Sequence, residues 1–516
     1  MISIGRRAIM RGGLAVAGAM LAGCQAAVGE GGGNAATATP SGAPSFPPLM
    51  QPDGPQVSAR EALRHWNGTV RSYSLTAAVG PVDLGGPKVN TWSYDYQVPG
   101  RELRVTAGDR VQVHLTNQLI EGTTVHWHGL AIRNDMDGVP DVTQPPIPAG
   151  GGTFLYDYVV DTPGTYYYHP HVGLQFAHGL YGPLIVEDPH EPLAYDEDWV
   201  VVMDDWLDGV NGLTPENVYA ALRSGGKTSA SPALPGSAGI LRSGTSALLG
   251  GDPGDVRYPY YLINGRIPGS PVTFNGKPGS RVRLRLINAG ADTAFLVALG
   301  DHRMQVVQTD GTPVEPVEAD CVLIGMGERY DVVITLKDGV FPLVAVAEGK
   351  GDSAFAVVRT SSGSAPPPTT RPAQLTGTVA GGRNVASLTA AQGHRLAART
   401  VDQDIPIALT GSMAGYQWSL DNLAYNPKAP LTVMTSGQRV RLSYTNTTMM
   451  WHPMHFHGHS FAVGGPNGPR KDTVMVLPGQ TVTCEFDTDN PGQWVTHCHN
   501  AYHEEAGMIG VLAYRA

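Results

Sequence analysis

The chain alternates apolar and polar residues over many short stretches, which is the pattern of β-strands with one buried face. Clear examples are Val111-Gln112-Val113-His114-Leu115, Arg281-Val282-Arg283-Leu284-Arg285-Leu286 and Arg439-Val440-Arg441-Leu442-Ser443-Tyr444. Turns that contain Gly and Asp separate these stretches. The strand-rich parts form three regions, 56–190, 196–360 and 400–516. The pattern therefore predicts an all-β chain of three domains.

The three regions share an internal repeat, in which a glycine-containing turn leads into a strand that ends in asparagine. The copies run from Gly108 to Asn117, from Gly279 to Asn288 and from Gly437 to Asn446. This repeat predicts three copies of one β-sandwich. The stretch 361–399, rich in Ser, Gly, Ala, Pro and Thr, is interpreted as a surface linker. Helix signals are sparse, and one short helix is predicted over 216–223 with Thr214 as its cap.

Residues 1–23 are predicted to be an export signal. Gly5-Arg6-Arg7 resembles a twin-arginine motif, the apolar run 12–22 is too short to span a bilayer, and Leu21-Ala22-Gly23-Cys24 resembles a bacterial lipobox. A lipobox implies a lipid anchor at Cys24, and a mature protein that is periplasmic or held at the outer side of the cytoplasmic membrane. Residues 24–55 are interpreted as a flexible tether. A cleaved signal with a chance cysteine is the alternative.

Composition supports a β fold and excludes some partners. Gly (65) and Pro (41) are abundant and only 16% of residues are charged, which suits a turn-rich β protein. The net charge is −10 and no basic patch is present, so nucleic-acid binding is not expected. Cys321 and Cys484 are interpreted as buried free thiols, with an interdomain disulfide as the alternative. Four cysteines in a chain of this length exclude a disulfide scaffold.

Histidines are concentrated in closely spaced pairs. The chain has 17 histidines, too few to give five His-x-His pairs by chance. The pairs are His126/His128, His169/His171, His455/His457, His457/His459 and His497/His499. On a strand, such a pair presents two imidazoles on one face, and neutral imidazole suits copper, zinc, iron and nickel. Even without His459, eight paired histidines are too many for one metal, so they predict a multi-metal cluster between the first and third domains.

The tripeptide His497-Cys498-His499 is predicted to join two metal sites. Strand geometry points both imidazoles to one face and the Cys498 thiol to the other. With His452, His503 and Met508, Cys498 completes the set of two imidazoles, a thiolate and a thioether that is typical of blue copper. A core role for Met508 and a zinc site are the alternatives, although a single cysteine among many histidines disfavours structural zinc.

Four segments resemble the multicopper oxidases: His126-Trp127-His128-Gly129, His169-Pro170-His171, His452-Pro453-Met454-His455-Phe456-His457-Gly458, and His497-Cys498-His499 through Met508. The motifs are complete and in order, and the nearest type is the three-domain bacterial laccase-like or copper-resistance oxidase. The resemblance implies three cupredoxin-like Greek-key β-sandwich domains and four coppers per chain. It assigns the type 1 copper to His452, Cys498, His503 and Met508, the type 2 copper to His126 and His455, one type 3 copper to His128, His169 and His499, and the other to His171, His457 and His497. His178 and His459 match no ligand position.

The resemblance also implies the reaction. A substrate gives single electrons to the type 1 copper beside His452 or His503, and they pass through Cys498 to its flanking histidines and reduce O2 to water. The reaction consumes protons, and Asp137 and Glu504 coincide with acids that resemble the family's proton-relay positions. For Asp137, a turn residue in Asp135-Met136-Asp137-Gly138 is the alternative.

The reducing substrate is left open, since Cu(I), Fe(II), Mn(II) and phenols all fit. Oxidation of Cu(I) in copper tolerance is the preferred hypothesis. Met449, Met450 and Met454 crowd around His452 and are interpreted as core residues, with a Cu(I) site as the alternative. A copper nitrite reductase, a non-enzymatic electron carrier and a family member without metals are the rival functions. The first two leave paired histidines unexplained, and the third conflicts with twelve filled ligand positions. A monomer that touches the membrane only through its lipid is expected.

Overall fold

β-Strands dominate all three regions in the computed structural model of the chain, which describes residues 46–225, 239–241 and 243–516. The predicted signal, Cys24 and most of the tether lie outside the described residues. None of the described helices is long and apolar enough to cross a membrane.

The first region forms two four-stranded sheets after a short helix, α1 (Pro55–Glu61). Its strands are β1 (Val70–Asp83), β2 (Lys88–Tyr94), β3 (Leu103–Thr106), β4 (Arg110–Asn117), β5 (His126–His128), β6 (Gly152–Val159), β7 (Gly164–His169) and β8 (Gly182–Glu187). The strand orders are β2-β1-β4-β6 and β3-β8-β7-β5. Single 3-10 turns lie at Asn134–Met136 and Gln175–His178.

The second region forms two six-stranded sheets. Its elements are β9 (Glu197–Trp206), α2 (Pro215–Arg223), β10 (Gly239–Ile240), β11 (Val256–Arg257), β12 (Tyr260–Ile263), β13 (Thr273–Asn275), β14 (Arg281–Asn288), β15 (Phe295–Leu299), β16 (Met304–Thr309), β17 (Thr312–Ala319), β18 (Cys321–Ile324), β19 (Arg329–Thr335), β20 (Val340–Ala347) and β21 (Ser353–Arg359). The first sheet has the order β12-β9-β14-β19-β16-β17, and β10 pairs with β11. The predicted helix is confirmed as α2, whose cap Thr214 accepts the backbone N–H of Asn217.

The stretch 361–399 adds structure of its own to the second region. It carries β22 (Val379–Gly381) and three 3-10 turns, at Ala373–Thr376, Gly382–Ser387 and Gln392–His394. β22 is the edge of the sheet β13-β21-β20-β15-β18-β22, where it pairs in parallel with β18. The stretch is therefore attached to the second domain by backbone hydrogen bonds.

The third region repeats the two-sheet arrangement. Its elements are β23 (Gln403–Ser412), β24 (Gln417–Leu420), β25 (Thr432–Met434), β26 (Arg439–Asn446), β27 (His452–Phe456), β28 (Phe461–Val463), β29 (Arg470–Lys471), β30 (Thr473–Val476), β31 (Thr481–Asp487), β32 (Gln493–Cys498), α3 (Ala501–Glu505) and β33 (Ile509–Tyr514). The strand orders are β24-β23-β26-β31-β28-β29 and β25-β33-β32-β27-β30. The predicted all-β architecture of three sandwiches is confirmed.

The internal repeat corresponds to one strand position in each sandwich. β4, β14 and β26 each run parallel to the first strand of their region, β1, β9 and β23. Each ends in a buried asparagine, whose side-chain amide donates to at least two backbone carbonyl groups. The acceptors are Glu121 and Ile147 for Asn117, Thr293 and Ile324 for Asn288, and Met450 and Val476 for Asn446. The repeated asparagine is thus a structural bridge that satisfies buried carbonyl groups in all three domains.

Candidate metal centres

Two pairs of neighbouring strands carry most of the paired histidines. In the first domain β5 and β7 are antiparallel, with His126 opposite His169. In the third domain β27 and β32 are antiparallel, with His455 opposite His497. Residues directly opposite on antiparallel strands have side chains in contact, so each strand pair brings two His-x-His motifs together. Alternation along β5 places His128 on the same face as His126, whereas His171, His457 and His499 lie just beyond the ends of β7, β27 and β32.

The paired histidines converge into three groups that all include both domains. Within each group, one potential ligand atom per residue lies within 4.8 Å of the others. The groups are His126, His128 and His455; His128, His169 and His499; and His171, His457 and His497. The structure therefore brings together, between the first and third domains, the residues that the resemblance assigns to the type 2 and type 3 coppers.

Ring nitrogens in these groups face one another without ordinary hydrogen-bond partners. Nε2 of His497 lies 3.1 Å from Nε2 of His457 and 3.4 Å from Nε2 of His171. Nε2 of His126, Nε2 of His455 and Nδ1 of His499 are buried and have no hydrogen-bond partner among the described residues. Buried polar atoms without partners are rare and costly in proteins. Copper ions bound to these nitrogens would satisfy them, so the residues present fit the metal that the resemblance implies.

Six of these imidazoles are held in the neutral form that binds metals. Burial lowers the pKa of His171 to about 3 and that of His455 to about 4. Burial, reinforced by neighbouring imidazoles, lowers the pKa of four others well below the ordinary value: His128, His169, His457 and His499. A metal would not have to displace protons from these side chains at neutral pH.

A separate group lies on the other side of β32. Sγ of Cys498 is 3.6 Å from Nδ1 of His452 and 3.6 Å from Nδ1 of His503, and these two nitrogens are 3.0 Å apart. The opposite ring nitrogens are occupied, because Nε2 of His452 lies 2.8 Å from the Thr448 hydroxyl and Nε2 of His503 lies 3.0 Å from Asp255 Oδ2. Both Nδ1 atoms consequently face the thiol, as a blue-copper site requires.

The rest of this group follows from local structure. The side chain of Asn500 caps α3 by accepting the backbone N–H of His503 at 3.3 Å, which orients the helix that carries this imidazole. Met508 is fully buried, and its carbonyl accepts the backbone N–H of Cys498 at 3.0 Å. Burial raises the pKa of the Cys498 thiol well above its usual value, so a bound cation would have to hold the thiolate form.

Family models cover all three domains. Models described as multicopper oxidase match residues 79–191, 197–363 and 398–516. The chain belongs to the multicopper oxidase family. Membership makes it an oxidoreductase of laccase-like type, and it confirms the resemblance that the four histidine motifs indicate.

Relatives and solved structures agree with this family. Multicopper oxidase MmcO of Mycobacterium tuberculosis (strain ATCC 25618 / H37Rv) is 48% identical over 463 residues, 89% of this chain and 90% of the relative. Copper resistance protein A of Escherichia coli is 28% identical, over 85% of this chain and 91% of the relative. The laccase from Botrytis aclada superposes with a TM-score of 0.69 at 26% identity, over 86% of this chain and 88% of that one. Fet3p, a multicopper oxidase that functions in iron import, superposes with a TM-score of 0.71 at 22% identity, over 86% and 90%, and supports the fold alone. The three-domain cupredoxin-like fold is thereby confirmed.

Both acids predicted as proton relays touch histidines of this multicopper oxidase from outside. Asp137 places Oδ1 3.1 Å from Nδ1 of His126 and Oδ2 2.9 Å from Nδ1 of His457, which links the two domains. Glu504 places Oε2 3.0 Å from Nδ1 of His497 and Oε1 3.4 Å from Nδ1 of His171. Their proton-transfer role stays a prediction.

The two carboxyl groups differ in ionisation. Burial raises the pKa of Asp137, although the nearby His126 opposes the effect. Burial also favours the neutral form of Glu504, but His497 and His171 outweigh it and lower the pKa to about 2. Glu504 and His171 line a surface cavity of about 310 Å³, so this carboxylate lies between the histidine groups and solvent.

Sequence reasoning missed Asp472, a fully buried carboxylate that also touches the histidine groups. Its Oδ1 lies 3.1 Å from Nε2 of His128 and 3.4 Å from Nδ1 of His455. Arg329 of the second domain grips the same carboxylate with two hydrogen bonds, 2.7 and 2.5 Å long. One signal was available in the sequence. Three consecutive charged residues, 470–472, directly precede the apolar strand β30, which indicates that charged side chains lie close to the core.

Tyr167 and Asp255 were also missed. The Tyr167 hydroxyl lies 2.9 Å from Nε2 of His499, and Asp255 holds Nε2 of His503. Neither carries a sequence signal, since each reaches its histidine from a different segment of the chain.

The remaining predicted residues are structural. Met450 and Met454 are buried, as favoured, whereas Met449 is 82% exposed, so the three form no common surface. His459 is buried and bonded to the Tyr514 hydroxyl. Cys321 and Cys484 are buried free thiols, and the alternative of a disulfide between them is wrong.

His178 forms a charged contact between the first two domains. It lies 2.9 Å from Asp208 and 2.8 Å from Glu216, and its ring stacks on Trp92. Burial opposes the protonated form, but the two carboxylates outweigh it and raise the pKa of His178 to about 9.

Proposed function

We propose that this protein is an oxygen-reducing oxidase with four coppers, held by the twelve side chains that the family motifs assign. The observation that carries the proposal is the position of one tripeptide. Cys498 belongs to one candidate metal group, while His497 and His499 belong to two others. Three consecutive residues thus connect two kinds of site through covalent bonds.

The candidate ligands would hold copper in two kinds of site. His452, Cys498, His503 and Met508 would hold the type 1 copper, and the three histidine groups would hold the type 2 and type 3 coppers. Bound copper would supply one-electron chemistry, accepting electrons singly from a reductant and passing four of them to O2 to give water. The histidines other than His171, which lines the surface cavity, are buried and shielded from bulk water.

Glu504 and Asp137 would supply protons. Glu504 bridges two imidazoles on one side and faces the surface cavity on the other, which is the geometry of a carboxylate that carries protons inward. Asp137 bridges imidazoles of both domains and would also keep Nε2 of His126 and His457 directed at the metals by occupying their Nδ1 atoms.

For the reductant, we propose a small metal cation, with Cu(I) in copper tolerance as the preferred case. The imidazoles of His452 and His503 are fully buried, so a bulky substrate does not reach them directly. Oδ2 of Asp255 touches His503, while its buried Oδ1 has no hydrogen-bond partner among the described residues. A buried, unpartnered carboxylate oxygen beside the electron-entry imidazole favours a cation over a phenol. A relative named copper resistance protein A supports the role, whereas relatives named laccase keep phenols as the second candidate.

Export, lipid attachment at Cys24 and a monomeric state complete the proposal. They rest on the twin-arginine and lipobox motifs. Radiolabelled palmitate incorporation that disappears in Cys24→Ala would support the anchor, and incorporation that persists would refute it.

Oxygen consumption by the copper-loaded protein tests the substrate. Cu(I), Fe(II), Mn(II) and a methoxyphenol are compared by kcat/KM, in the wild type and in Asp255→Asn. We expect the metal ions to be preferred. Asp255→Asn should lower their kcat/KM about tenfold more than that of the phenol, since any loss at His503 itself applies to all substrates alike. Asp404→Asn, in an exposed ion pair with Arg441, is the matched control. A wild-type preference for the phenol, or equal loss for all substrates, would overturn the cation proposal without touching the oxidase itself.

A further inference from the structure

A cavity of about 640 Å³ is lined by residues of the first domain, the third domain and the stretch 361–399, together with Thr312 of the second domain. Its walls carry an unusual concentration of cationic and imidazole side chains. They are Arg60, Arg64, His65, His394, Arg395 and Arg470. None of them has a role in the oxidase chemistry described above.

Part of this charge is balanced by neighbouring carboxylates. Arg64 pairs with Glu61 at 2.9 Å and with Asp161 at 3.1 Å. Arg395 pairs with Glu315 at 3.1 Å. Among the carboxylates on the wall, Asp487 is taken by Arg439, which lies behind it at 2.9 Å.

Two guanidinium groups are left without a carboxylate partner within 4.0 Å in the described part of the chain, Arg60 and Arg470. Arg60 donates only to a backbone oxygen, that of Asp489, whose own side chain is exposed. Arg470 donates through Nη2 to the backbone oxygen of Ser460. The wall groups without an ion-pair partner among the described residues are therefore two arginines and one carboxylate, that of Asp489, which leaves a net positive charge.

Arg470 also has an unused donor. Its Nε and the Ser460 hydroxyl are both buried, and neither has a hydrogen-bond partner among the described residues. Both residues line the cavity. Burial lowers the pKa of Arg470, and the carboxylates of Asp489 and Asp487, which form no ion pair with it, oppose this effect only in part. A half-buried guanidinium with an unpaired N–H group destabilises the folded state unless an anion accepts that hydrogen bond and balances the charge.

We propose that this cavity binds a small oxyanion of the phosphate class. The planar fork of a guanidinium matches two oxygens of a phosphate, and the Ser460 hydroxyl supplies a further donor. The cavity is large enough for a phosphate or a small phosphorylated molecule. Arg60 belongs to α1 of the first domain and Arg470 to β29 of the third domain, so an anion that contacts both would stabilise the contact between the two domains that share the histidine groups.

Calorimetric titration of the copper-loaded protein with inorganic phosphate, at constant ionic strength set by chloride, tests the proposal. The wild type is expected to show saturable binding to one site, and phosphate is expected to raise its melting temperature. Arg470→Gln is expected to weaken phosphate binding about tenfold or more. Arg371→Gln removes an exposed arginine that donates only to backbone oxygens of the same stretch, and should bind phosphate like the wild type.

Arg60→Gln provides a second test on the short surface helix α1, in case Arg470→Gln does not fold. It removes the other unpaired guanidinium and should also weaken phosphate binding. Absence of saturable phosphate binding in the millimolar range, or equal affinity in the wild type and the folded cavity variants, would overturn the proposal.

Discussion

Replacing Asp472 by asparagine should both destabilise the protein and loosen its copper cluster. The wild-type carboxylate receives two hydrogen bonds from Arg329 and touches imidazoles of both domains, His128 and His455. The substitution keeps the shape of the side chain and removes its charge. It leaves the fully buried Arg329 guanidinium with Asp310, 3.7 Å away, as its nearest remaining carboxylate.

The size of the effect follows from burial. Removing one partner of a buried ion pair costs about 3–5 kcal/mol, because the other charge stays in a poorly hydrated site. Asp310 and the hydrogen bonds that the substituted amide retains put the expected loss near the lower end, about 3 kcal/mol. Groups that orient metal-binding histidines change metal affinity by about 10–100-fold, so copper at the His128 and His455 groups should weaken by that factor. The Cys498 group should keep its copper, since Asp472 does not touch it.

Scanning calorimetry and chelator competition measure the two effects separately. Asp404→Asn is the control, since the exposed pair with Arg441 should contribute less than about 1 kcal/mol. Arg329→Gln and the double variant complete a cycle, in which the double variant should lose less than the sum of the single losses. Equal melting temperatures and equal copper retention in Asp472→Asn and Asp404→Asn would show that Asp472 neither stabilises the buried Arg329 nor orients the histidines.

Three further outcomes follow. Glu504→Gln should slow O2 reduction by about a hundredfold in rapid-mixing experiments, while anaerobic reduction of the blue copper stays normal. In Glu505→Gln, at the exposed neighbouring position, both rates should stay normal. A normal rate of O2 reduction in Glu504→Gln would contradict the relay. For His178, the folded-state pKa of about 9 exceeds the ordinary 6.5, so its stabilisation is complete below pH 6.5 and is lost as pH rises through 9. The difference in free energy of unfolding between wild type and His178→Gln should therefore shrink over this pH range, from at most about 3 kcal/mol, and the difference in melting temperature should shrink with it. A difference that does not change with pH would contradict the ion pair. Cys498→Ser should abolish the blue absorption band, and a surviving band would refute the thiolate assignment.

The parts of the fold that could be predicted are those encoded locally. The residues that form one alternating stretch or one copy of the turn–strand–asparagine repeat lie within about ten positions of each other in the sequence. Backbone geometry alone therefore predicts strands β4, β14 and β26 from them. The same holds for the candidate site. His126 and His128 lie on one strand, which fixes that both imidazoles point to one face, and on β32 Cys498 must point away from His497.

The features that could not be predicted depend on segments far apart in the chain. Asp472 reaches His128 across 344 positions, and Arg329 enters from a domain that supplies no candidate ligand. Asp255 reaches His503 across 248 positions. No periodicity connects such residues, because their contact arises only when the three sandwiches pack. The different burial of two neighbouring methionines could not be predicted either, since Met449 is exposed while Met450 lies in the core.

Copper content measured together with the visible spectrum tests whether one tripeptide joins two kinds of copper site. We expect about four coppers per wild-type chain and a blue band, and about three coppers without that band in Cys498→Ser, because His497 and His499 still belong to their two histidine groups. One or two coppers in the wild type, or loss of all copper from a folded Cys498→Ser protein, would contradict it.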